Sequence, residues 1–364
     1  MNGPKGQNRD DGKDELGEIR AEVLPHYAGW EGATVARIGS GLINRSYLVE
    51  RGAGGQAARA VLQAVSAIFP PEIHHNIAAV TERLAAAGLT TPRLLPTREG
   101  RGYLTAAGGV WRMLSHVDGV SFDVVASAAQ ARAAGELVGR FHAAVAGIDH
   151  AFVGMRVGVH DTPRHLARLG EALATHARHR LSAQVRPLAE AILAAAAGLP
   201  PLPALPPFIG HGDLKFNNIL FAGRAPPADA RAICLIDLDT VGPQSLAFEL
   251  GDAWRSWCNR AGEDDVNAVV DLEIMRASLQ GYVAGLGRDL VADERRALLL
   301  GVEWVSLELA ARFADDALFE SYFGWDAARF AGRGEHNLVR ARGQWSLHEA
   351  LRASRAERER MLGP

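Results

Sequence analysis

The polar residues best suited to chemistry lie in two short segments of this 364-residue chain, His211–Asn218 and Ile236–Asp239. Phosphoryl transfer to a hydroxyl requires a carboxylate that accepts the hydroxyl proton and hard oxygen ligands that hold magnesium on the phosphates. The two segments together contain both kinds of group. They therefore form a candidate site for phosphoryl transfer.

Asp213, Asn218 and Asp237 are the candidates for these roles. Asp213 would be the base, while Asn218 and Asp237 would hold the metal. One apolar stretch follows Asn218 and another precedes Asp237, and the turn-forming residues 223–229 between them predict a β-hairpin. Because paired hairpin strands run antiparallel, the start of the first lies beside the end of the second. The spacing therefore predicts that the base loop and the metal ligands converge.

Each of these residues also has a simpler or rival interpretation. Asp and Asn often cap helices or form Asx-turns, so Asp213 and Asn218 could serve only the local backbone. Asp237 and Asp239 also fit the Asp-x-Asp motif of haloacid dehalogenase-type phosphatases, in which Asp237 would be the nucleophile. That alternative leaves His211–Asn218 unexplained. Asp239 fits an auxiliary metal contact and a structural carboxylate equally well.

Three neighbouring residues complete the candidate site. Lys215 lies within the base loop and could stabilise the charge on the transferring phosphoryl group, as a fixed cation does for a developing anion. A solvated lysine is the alternative. We expect His211 to brace the loop rather than to shuttle protons, and Asp252 to cap or anchor a helix near the site.

The first part of the chain has the pattern of several strands and one helix. Thr34–Glu50 and Ala57–Val65 contain short apolar runs, with Gly39-Ser40-Gly41 as a turn. Glu72–Ala87 follows a proline pair and carries apolar residues at helical spacing. Residues 19–118 are therefore predicted to form a small lobe of mainly antiparallel sheet with one helix.

The remainder of the chain is predominantly helical in pattern. Ala126–Ala146 and Pro163–Ala197 are rich in Ala and Leu at helical spacing, and this periodicity returns after Phe248. The candidate hairpin lies between these helical regions. We predict an α+β protein in which residues 119–364 form a larger helical lobe, and residues 1–18 a disordered tail.

The composition argues against several classes of protein. The formal net charge is −3, from 39 basic and 42 acidic side chains, so there is no broad positive field for nucleic acid or an anionic membrane surface. Cys234 and Cys258 have apolar neighbours typical of buried, reduced thiols. No apolar stretch is long enough to cross a bilayer. We expect a cytoplasmic protein that is monomeric or a weak homodimer.

The pattern His-Gly-Asp-x-x-x-x-Asn at His211–Asn218, followed by Ile-Asp-x-Asp at Ile236–Asp239, resembles that of the aminoglycoside phosphotransferase and choline kinase superfamily. These enzymes are small-molecule relatives of protein kinases. The resemblance implies a bilobal, protein-kinase-like fold that uses ATP and Mg²⁺. It matches Asp213 to the catalytic Asp, and Asn218 and Asp237 to the metal-binding residues. His211 matches a residue that braces the loop.

Other segments are similar to those of the N-acetylhexosamine 1-kinases. They include Gly41–Tyr47, Val61–Gln63, Glu249–Ala253 and His336–Arg342. This resemblance implies a kinase acting on the anomeric hydroxyl of an N-acetylhexosamine or related amino sugar, with acceptor contacts at Asp213, Arg312 and Tyr322. An aminoglycoside or another amino alcohol remains the alternative acceptor on the same fold.

The resemblance also implies where the nucleotide binds. The contacts fall in the glycine-bearing turn, on the third strand and in the connector that follows the sheet; they are Ser40, Gly41, Asn44, Gln63, Leu114, Ser115 and His116. Protein kinases carry a lysine at the position of Gln63, which here is a neutral amide. A catalytically silent, kinase-like binding protein is therefore a further alternative.

Overall fold

The structure, a computed structural model, describes residues 11–39, 43–52, 58–156, 158–223 and 230–363. These residues form two compact units. The first contains the described parts of Met1–Asp118 together with Gly147–Met155, and the second those of Gly119–Ala146 and Arg156–Pro364.

The first unit is built on an antiparallel sheet, which has six strands within the described residues. They are β1 (Thr34–Ile38), β2 (Arg45–Arg51), β3 (Ala58–Val65), β4 (Leu94–Leu95), β5 (Leu104–Ala106) and β6 (Gly109–Ser115). Their order is β1-β2-β3-β6-β4, and β5 pairs with β6. The register sets Gln63 of β3 opposite Ser46 of β2 and Arg112 of β6.

The sheet carries the core of the first unit. Tyr47, Leu62 and Met113, from three adjacent strands, are each fully buried in it. Residues two apart on a strand share a face, so the alternation of apolar residues builds one continuous surface. Helix α2 (Ile73–Ala86) confirms the predicted helix of this part of the chain.

The beginning of the chain differs from the predicted disordered tail. Residues Asp11–Glu18 form helix α1, which continues into a π-helical turn at Ile19–Val23. Ile19 is fully buried in the sheet core, and Leu16 packs against that core. These apolar contacts order a segment whose composition is otherwise polar. The rest of the predicted tail, residues 1–10, lies outside the described residues.

A second difference concerns residues 147–155, which the sequence assigned to the helical lobe and the structure assigns to the first unit. Asn76 of α2 is buried, and its side chain donates to the Val153 carbonyl at 2.7 Å. The Val153 amide in turn donates to Asn76 Oδ1 at 3.1 Å. A buried amide side chain must have such partners, so this segment completes the first unit.

The second unit is mainly helical, as predicted. Its described helices are α3 (Ala128–Val145), α4 (Thr162–Thr175), α5 (Ser182–Gly198), α6 (Leu246–Trp257), α7 (Leu272–Leu286), α8 (Ala292–Phe319), α9 (Arg333–Ala353) and α10 (Arg355–Leu362). No helix in the described part of the chain is both long and apolar enough to span a membrane.

Glycines allow α3 and α7 to cross at very short range. A Cβ atom at Gly135 of α3 would overlap the Ser278 carbonyl oxygen, and one at Gly281 of α7 would overlap that of Arg132. Gly139 and Gly285, one turn further along, face the opposite helix in the same way. The crossing therefore requires residues without side chains on both helices.

Two short strand pairs lie among these helices. Strand β7 (Phe208–Gly210) pairs with β10 (Gly242–Gln244), and β8 (Ile219–Phe221) pairs with β9 (Ala232–Leu235). Both pairs are antiparallel, and β8 with β9 is the predicted hairpin. The candidate residues lie in the segments that connect these strands.

Candidate active site

Asp213 lies on the loop between β7 and β8, and glycine makes the loop possible. Gly212 has φ of +80°, and a Cβ atom there would lie 2.7 Å from the Thr240 carbonyl oxygen. A larger residue would be strained by its backbone conformation and by its neighbours. Asp213 follows directly, and its carboxylate pairs with Lys215 Nζ at 3.2 Å.

Asn218 and Asp237 lie at the end of the β8–β9 hairpin nearest this loop. The Asn218 side-chain amide donates to the Asp213 carbonyl at 2.9 Å. The Ile236 amide donates to the Asn218 carbonyl at 2.9 Å, which places Asp237 one residue beyond that bond. Asp237 has φ of +62° and ψ of +58°, the left-handed conformation, so the chain turns sharply there. The structure thus brings the three predicted residues to one place in the second unit.

His211 ties the base loop to the end of β9. Its Nε2 donates to the Ile236 carbonyl at 2.9 Å, and its Nδ1 accepts the Asp213 amide at 3.3 Å. A proton on Nε2 satisfies both bonds. The side chain is fully buried. This arrangement supports the predicted bracing role.

Glu249 of α6 holds the same loop, a role that no sequence pattern predicted. Its carboxylate accepts the backbone amides of His211 at 2.7 Å and of Gly212 at 2.9 Å. His142 of α3 contacts the same carboxylate at 3.2 Å. Burial raises the pKa of Glu249, but the hydrogen bond and charge of His142 and the hydrogen bond from the His211 amide outweigh burial and lower the pKa. The sequence offers two local signs: Glu249 is an acidic residue among apolar neighbours, and it begins the segment Glu249–Ala253, for which a family resemblance was noted.

Lys215 and Asp252 belong to a chain of opposite charges beside Asp213. The Asp252 carboxylate accepts Arg255 Nε at 2.8 Å, and Arg255 also contacts Glu263 at 3.4 Å. Burial lowers the pKa of Lys215, but the charges of Asp213 and Asp252 outweigh it and raise the pKa. Lys215 therefore remains a cation next to the candidate base. Asp252 lies in the interior of α6, so it does not cap that helix as predicted and instead interacts with Arg255 and Lys215.

Arg312 and Tyr322, the predicted acceptor contacts, lie together. The Arg312 guanidinium carbon is 5.9 Å from the centre of the Tyr322 ring, and Arg156 donates to the Tyr322 hydroxyl at 3.2 Å. Burial raises the pKa of Tyr322, but the hydrogen bond and charge of Arg156 and the charge of Arg312 outweigh it and lower the pKa. The Tyr322 side chain is exposed.

Asp316 of α8 holds the segment that carries Tyr322. One of its carboxylate oxygens accepts the backbone amides of Ser321 and Tyr322, each at 2.9 Å. The other accepts the Phe323 amide and the Asn337 side chain, each at 2.8 Å. The position of Tyr322 is therefore fixed by a fully buried carboxylate, for which no sequence pattern predicted a role.

The second acidic residue of the Asp-x-Asp pair lies in a single helical turn. Asp239 is buried within the 3₁₀ turn Leu238–Thr240, directly after Asp237. The Thr240 hydroxyl donates to the His211 carbonyl at 2.8 Å, which fastens this turn to the base loop. Asp239 as a metal ligand stays a prediction.

The predicted nucleotide contacts lie in the first unit. Gln63 donates to the Ser46 hydroxyl at 3.0 Å and accepts from Arg112 Nε at 2.8 Å. The third strand thus has an amide, with a buried arginine beside it on β6. Asn44 Oδ1 accepts the Ser66 amide at 2.9 Å. Ser40 and Gly41 lie outside the described residues.

The connector residues Leu114, Ser115 and His116 occupy the end of β6 and the residue after it. Leu114 pairs with Leu94 of β4. The Ser115 hydroxyl accepts the Arg93 amide at 2.9 Å. His116 lies 3.7 Å from the Asp118 carboxylate, and burial is the main cause that lowers its pKa. Their role in nucleotide binding stays a prediction.

The donor atoms at Asn218 and Asp237 fit a magnesium ion. Magnesium prefers hard oxygen ligands and usually keeps several waters, so it is bound by one or two carboxylates together with substrate phosphates. Because the Asn218 nitrogen is bonded to the Asp213 carbonyl, its Oδ1 is the atom that remains for a metal. Among the described residues, no three His, Cys, Asp or Glu side chains form a metal-binding group.

Comparison with known proteins places this arrangement in a family. The model of the family described as "Phosphotransferase enzyme family" matches residues 34–286, which include all three central residues. The match covers most of the chain. The predicted superfamily is therefore confirmed, whereas the N-acetylhexosamine 1-kinase group stays a prediction.

Solved structures with a similar fold cover nearly the whole chain. A microcompartment-associated aminopropanol kinase is 19% identical, with a TM-score of 0.59 over 91% of this chain and 96% of its own. An aminoglycoside phosphotransferase from Alicyclobacillus acidocaldarius is 15% identical, with a TM-score of 0.56 over 92% and 95%. Spectinomycin phosphotransferase, solved with ADP and spectinomycin, is 11% identical, with a TM-score of 0.52 over 91% and 98%. These likenesses confirm the predicted kinase-like fold.

Proposed function

Since this chain belongs to the phosphotransferase enzyme family, we propose that it is an ATP- and magnesium-dependent kinase that phosphorylates a hydroxyl of a sugar. The acceptor we favour is an N-acetylhexosamine or a related amino sugar, with transfer to the anomeric hydroxyl. The observation that carries the proposal is the hydrogen bond from the Asn218 side chain to the Asp213 backbone at 2.9 Å. It joins the candidate base to a candidate metal ligand.

Asp213 is the base in the proposed reaction. The acceptor hydroxyl gives its proton to the Asp213 carboxylate as its oxygen attacks the γ-phosphorus of ATP. A bond forms between that oxygen and phosphorus, the bond from phosphorus to the β–γ bridging oxygen breaks, and ADP leaves. Lys215, 3.2 Å from Asp213, supplies a positive charge near the group being transferred. Positioning and electrostatics do most of the catalysis in such a reaction.

Asn218 and Asp237 would hold the magnesium ion through oxygen atoms. When bound, the ion neutralises charge on the phosphates of the nucleotide. The sharp left-handed turn at Asp237 and the Asn218 hydrogen bond fix both side chains to the frame that carries Asp213. Metal and base are thus held by a single short hairpin and its loop.

The charges at the candidate base and at the predicted acceptor contacts favour a neutral acceptor over a polycation. Asp213 is paired with Lys215, and Asp252 with Arg255. Glu308 contacts Arg312 at 3.8 Å and His160 at 2.9 Å. Binding an aminoglycoside would require carboxylates that are available to its ammonium groups. The carboxylates named here are already paired with basic side chains of the chain itself. Arg156 and Arg312 add positive charge beside Tyr322, which further disfavours a cationic acceptor.

An acceptor screen tests the proposal. ADP release is measured with ATP, magnesium and each of N-acetylglucosamine, N-acetylgalactosamine, glucosamine, glucose, ethanolamine and kanamycin. Phosphorus NMR of the product identifies the phosphorylated hydroxyl. We expect turnover with an N-acetylhexosamine, and a loss of about 10²–10⁴-fold in kcat for Asp213→Asn. Turnover with kanamycin or ethanolamine alone would show that the acceptor assignment is wrong.

Two other classes of protein, a silent kinase-like binding protein and a phosphatase, would give different results. A silent binding protein, which the neutral Gln63 suggests, would be stabilised by ATP and magnesium but would release no ADP. A phosphatase would release inorganic phosphate from a sugar phosphate without ATP. The family match across Asp213, Asn218 and Asp237 favours the kinase over both.

A further inference from the structure

One face of the sheet in the first unit carries two rows of side chains of opposite character. Residues directly opposite one another on antiparallel strands place their side chains on the same face. In the polar row, Ser46 of β2 lies opposite Gln63 of β3, which lies opposite Arg112 of β6. The residues next to these three along each strand belong to the buried core, so the polar row is on the face turned away from that core.

The second row is apolar and lies two residues further along each strand. Leu48 pairs with Val61, Val61 pairs with Leu114, and all three are half-buried. Two residues of a strand span roughly 7 Å, so the two rows are close neighbours. This face of the sheet therefore offers an apolar surface beside a line of polar groups.

The hydrogen bonds of the polar row all run in one direction, from β6 towards β2. A guanidinium can only donate, so Arg112 Nε donates to Gln63 Oε1 at 2.8 Å, and this bond fixes which end of the amide is the nitrogen. The amide nitrogen then donates to the Ser46 hydroxyl oxygen at 3.0 Å. Arg112 is 1% exposed, whereas Gln63 and Ser46 are half-buried. A buried cation therefore polarises two accessible groups as donors.

Two protons of the polar row have no acceptor within the described part of the chain. They are the hydroxyl proton of Ser46 and the second amide proton of Gln63. A ligand at this position must therefore supply acceptors, and the guanidinium behind the two donors favours a negatively charged one. Phosphate oxygens are strong acceptors that carry negative charge, so a phosphate group fits both requirements.

We propose that Ser46 and Gln63 donate to a phosphate of the nucleotide, with Arg112 behind them as the cation, and that the base lies on the apolar row. The inference rests on the proposed function and adds how the nucleotide phosphates are held. A nucleoside phosphate matches the face because it has a flat base at one end and an anion at the other. Two polarised neutral donors thus take the place of the lysine that protein kinases carry at Gln63.

A purely structural polar row predicts different behaviour. In that case the three side chains would only hold β2, β3 and β6 together. Removal of the Ser46 hydroxyl would then lower the Tm and leave nucleotide binding unchanged. ADP and adenosine separate the two roles, because the two ligands share the base and only ADP carries phosphate.

The test measures the Kd of the full chain for ADP and for adenosine by calorimetry with magnesium present. Ser46→Ala should weaken ADP binding about tenfold, because a hydrogen bond to a charged group is lost, and should leave adenosine binding unchanged. The control is Thr34→Val on β1, where the hydroxyl bonds to the Glu50 carbonyl at 3.3 Å within the sheet. It should change neither Kd.

Gln63→Glu tests the direction of the hydrogen bonds in the polar row. The new carboxylate keeps an acceptor for Arg112, but it has no proton to donate and it repels phosphate. We expect ADP binding to fall at least about 100-fold, with adenosine binding and the Tm nearly unchanged. An ADP affinity equal to that of the wild type in either variant would overturn the inference. So would an equal loss of affinity for ADP and adenosine.

These measurements need no acceptor, so failure of the proposed function can be recognised separately. If the wild type binds ADP but no acceptor of the screen yields turnover, the proposed function is wrong, and the two variants still decide the inference. If the wild type phosphorylates an acceptor and both variants keep its KM for ATP, the inference is wrong and the proposed function stands. A wild type that binds no ADP would overturn both.

Discussion

The Glu249 carboxylate accepts the backbone amide of His211 at 2.7 Å. The same group accepts the Gly212 amide, so one buried side chain of α6 holds the two residues that precede the candidate base. Their amides would otherwise lack partners in a buried environment. The geometry of the base loop therefore depends on a residue that is remote from it in sequence.

Glu249→Gln should damage both stability and activity. The amide nitrogen of Gln would face a backbone N–H, so one buried donor loses its acceptor, at a cost of about 3 kcal/mol. A shift in the loop should lower kcat about 10²-fold, because the candidate base, Asp213, would be displaced from the acceptor hydroxyl. Thermal unfolding and steady-state kinetics measure both effects. The exposed Glu190→Gln on α5 is the control, and equal behaviour of the two variants would contradict the role given to Glu249.

Asn218→Ala should raise the magnesium concentration needed for half-maximal activity about 10- to 100-fold, because a proposed metal ligand is lost. Asn217→Ala is a matched control, since this neighbouring amide bonds instead to Asp123 at 3.3 Å. Titration of activity against magnesium separates the two. The metal assignment is wrong if both variants show the same magnesium dependence as the wild type.

Gly281→Ala should destabilise the protein by about 3 kcal/mol, the upper range for overpacking, because the new methyl group would overlap the Arg132 carbonyl across the α3–α7 crossing. Gly170→Ala on α4 is the opposite case, since no atom lies within 4 Å of its Cβ position. That variant should stabilise by about 0.5–1 kcal/mol through helix propensity. Urea unfolding of both variants gives the comparison, and a tolerated Gly281→Ala would contradict the close crossing.

Asp315→Asn should alter the pH dependence of stability. Burial, reinforced by the Asp316 charge, raises the pKa of Asp315 to about 7, although Arg168 partly offsets it. In the unfolded chain this carboxyl ionises near pH 4, so it loses its proton earlier than in the folded protein. Its contribution to stability is therefore present at low pH and is lost as the pH rises to about 7.

The free energy of unfolding of Asp315→Asn, relative to the wild type, should consequently increase by about 1.4 kcal/mol per pH unit between about pH 4 and 7. Above that range the difference should be constant. Urea unfolding at a series of pH values measures it, with the exposed Asp289→Asn as control. A difference that is the same at pH 5 and pH 8 would refute the raised pKa.

The parts of the site that could be predicted are those set by local chain geometry. A hairpin and the loop before it bring Asp213, Asn218 and Asp237 together, and the spacing of apolar runs is enough to indicate that. Glu249 and Asp316 were missed because they lie on helices that are distant in sequence from the motif. Their side chains share no spacing with the motif, and only packing reveals which atoms they contact.

The fold, too, could be predicted only where a local pattern in the sequence determines it. Apolar periodicity predicted α2, the strands and the helical character of the second unit. It did not reveal α1, whose order depends on a few apolar contacts such as those of Leu16 and Ile19. Nor did it assign residues 147–155, because the partner of that segment is the side chain of Asn76 and not a repeated pattern.

Because residues 147–155 belong to the first unit, they limit where this chain can be divided and joined to another protein. The chain passes between its two units at residues 118–119, 146–147 and 155–156. A fragment that ends at Asp118 would lack Val153, and the buried Asn76 would lose both backbone partners. A chimera that joins this first unit to the catalytic half of a relative must therefore carry residues 147–155 along with residues 1–118.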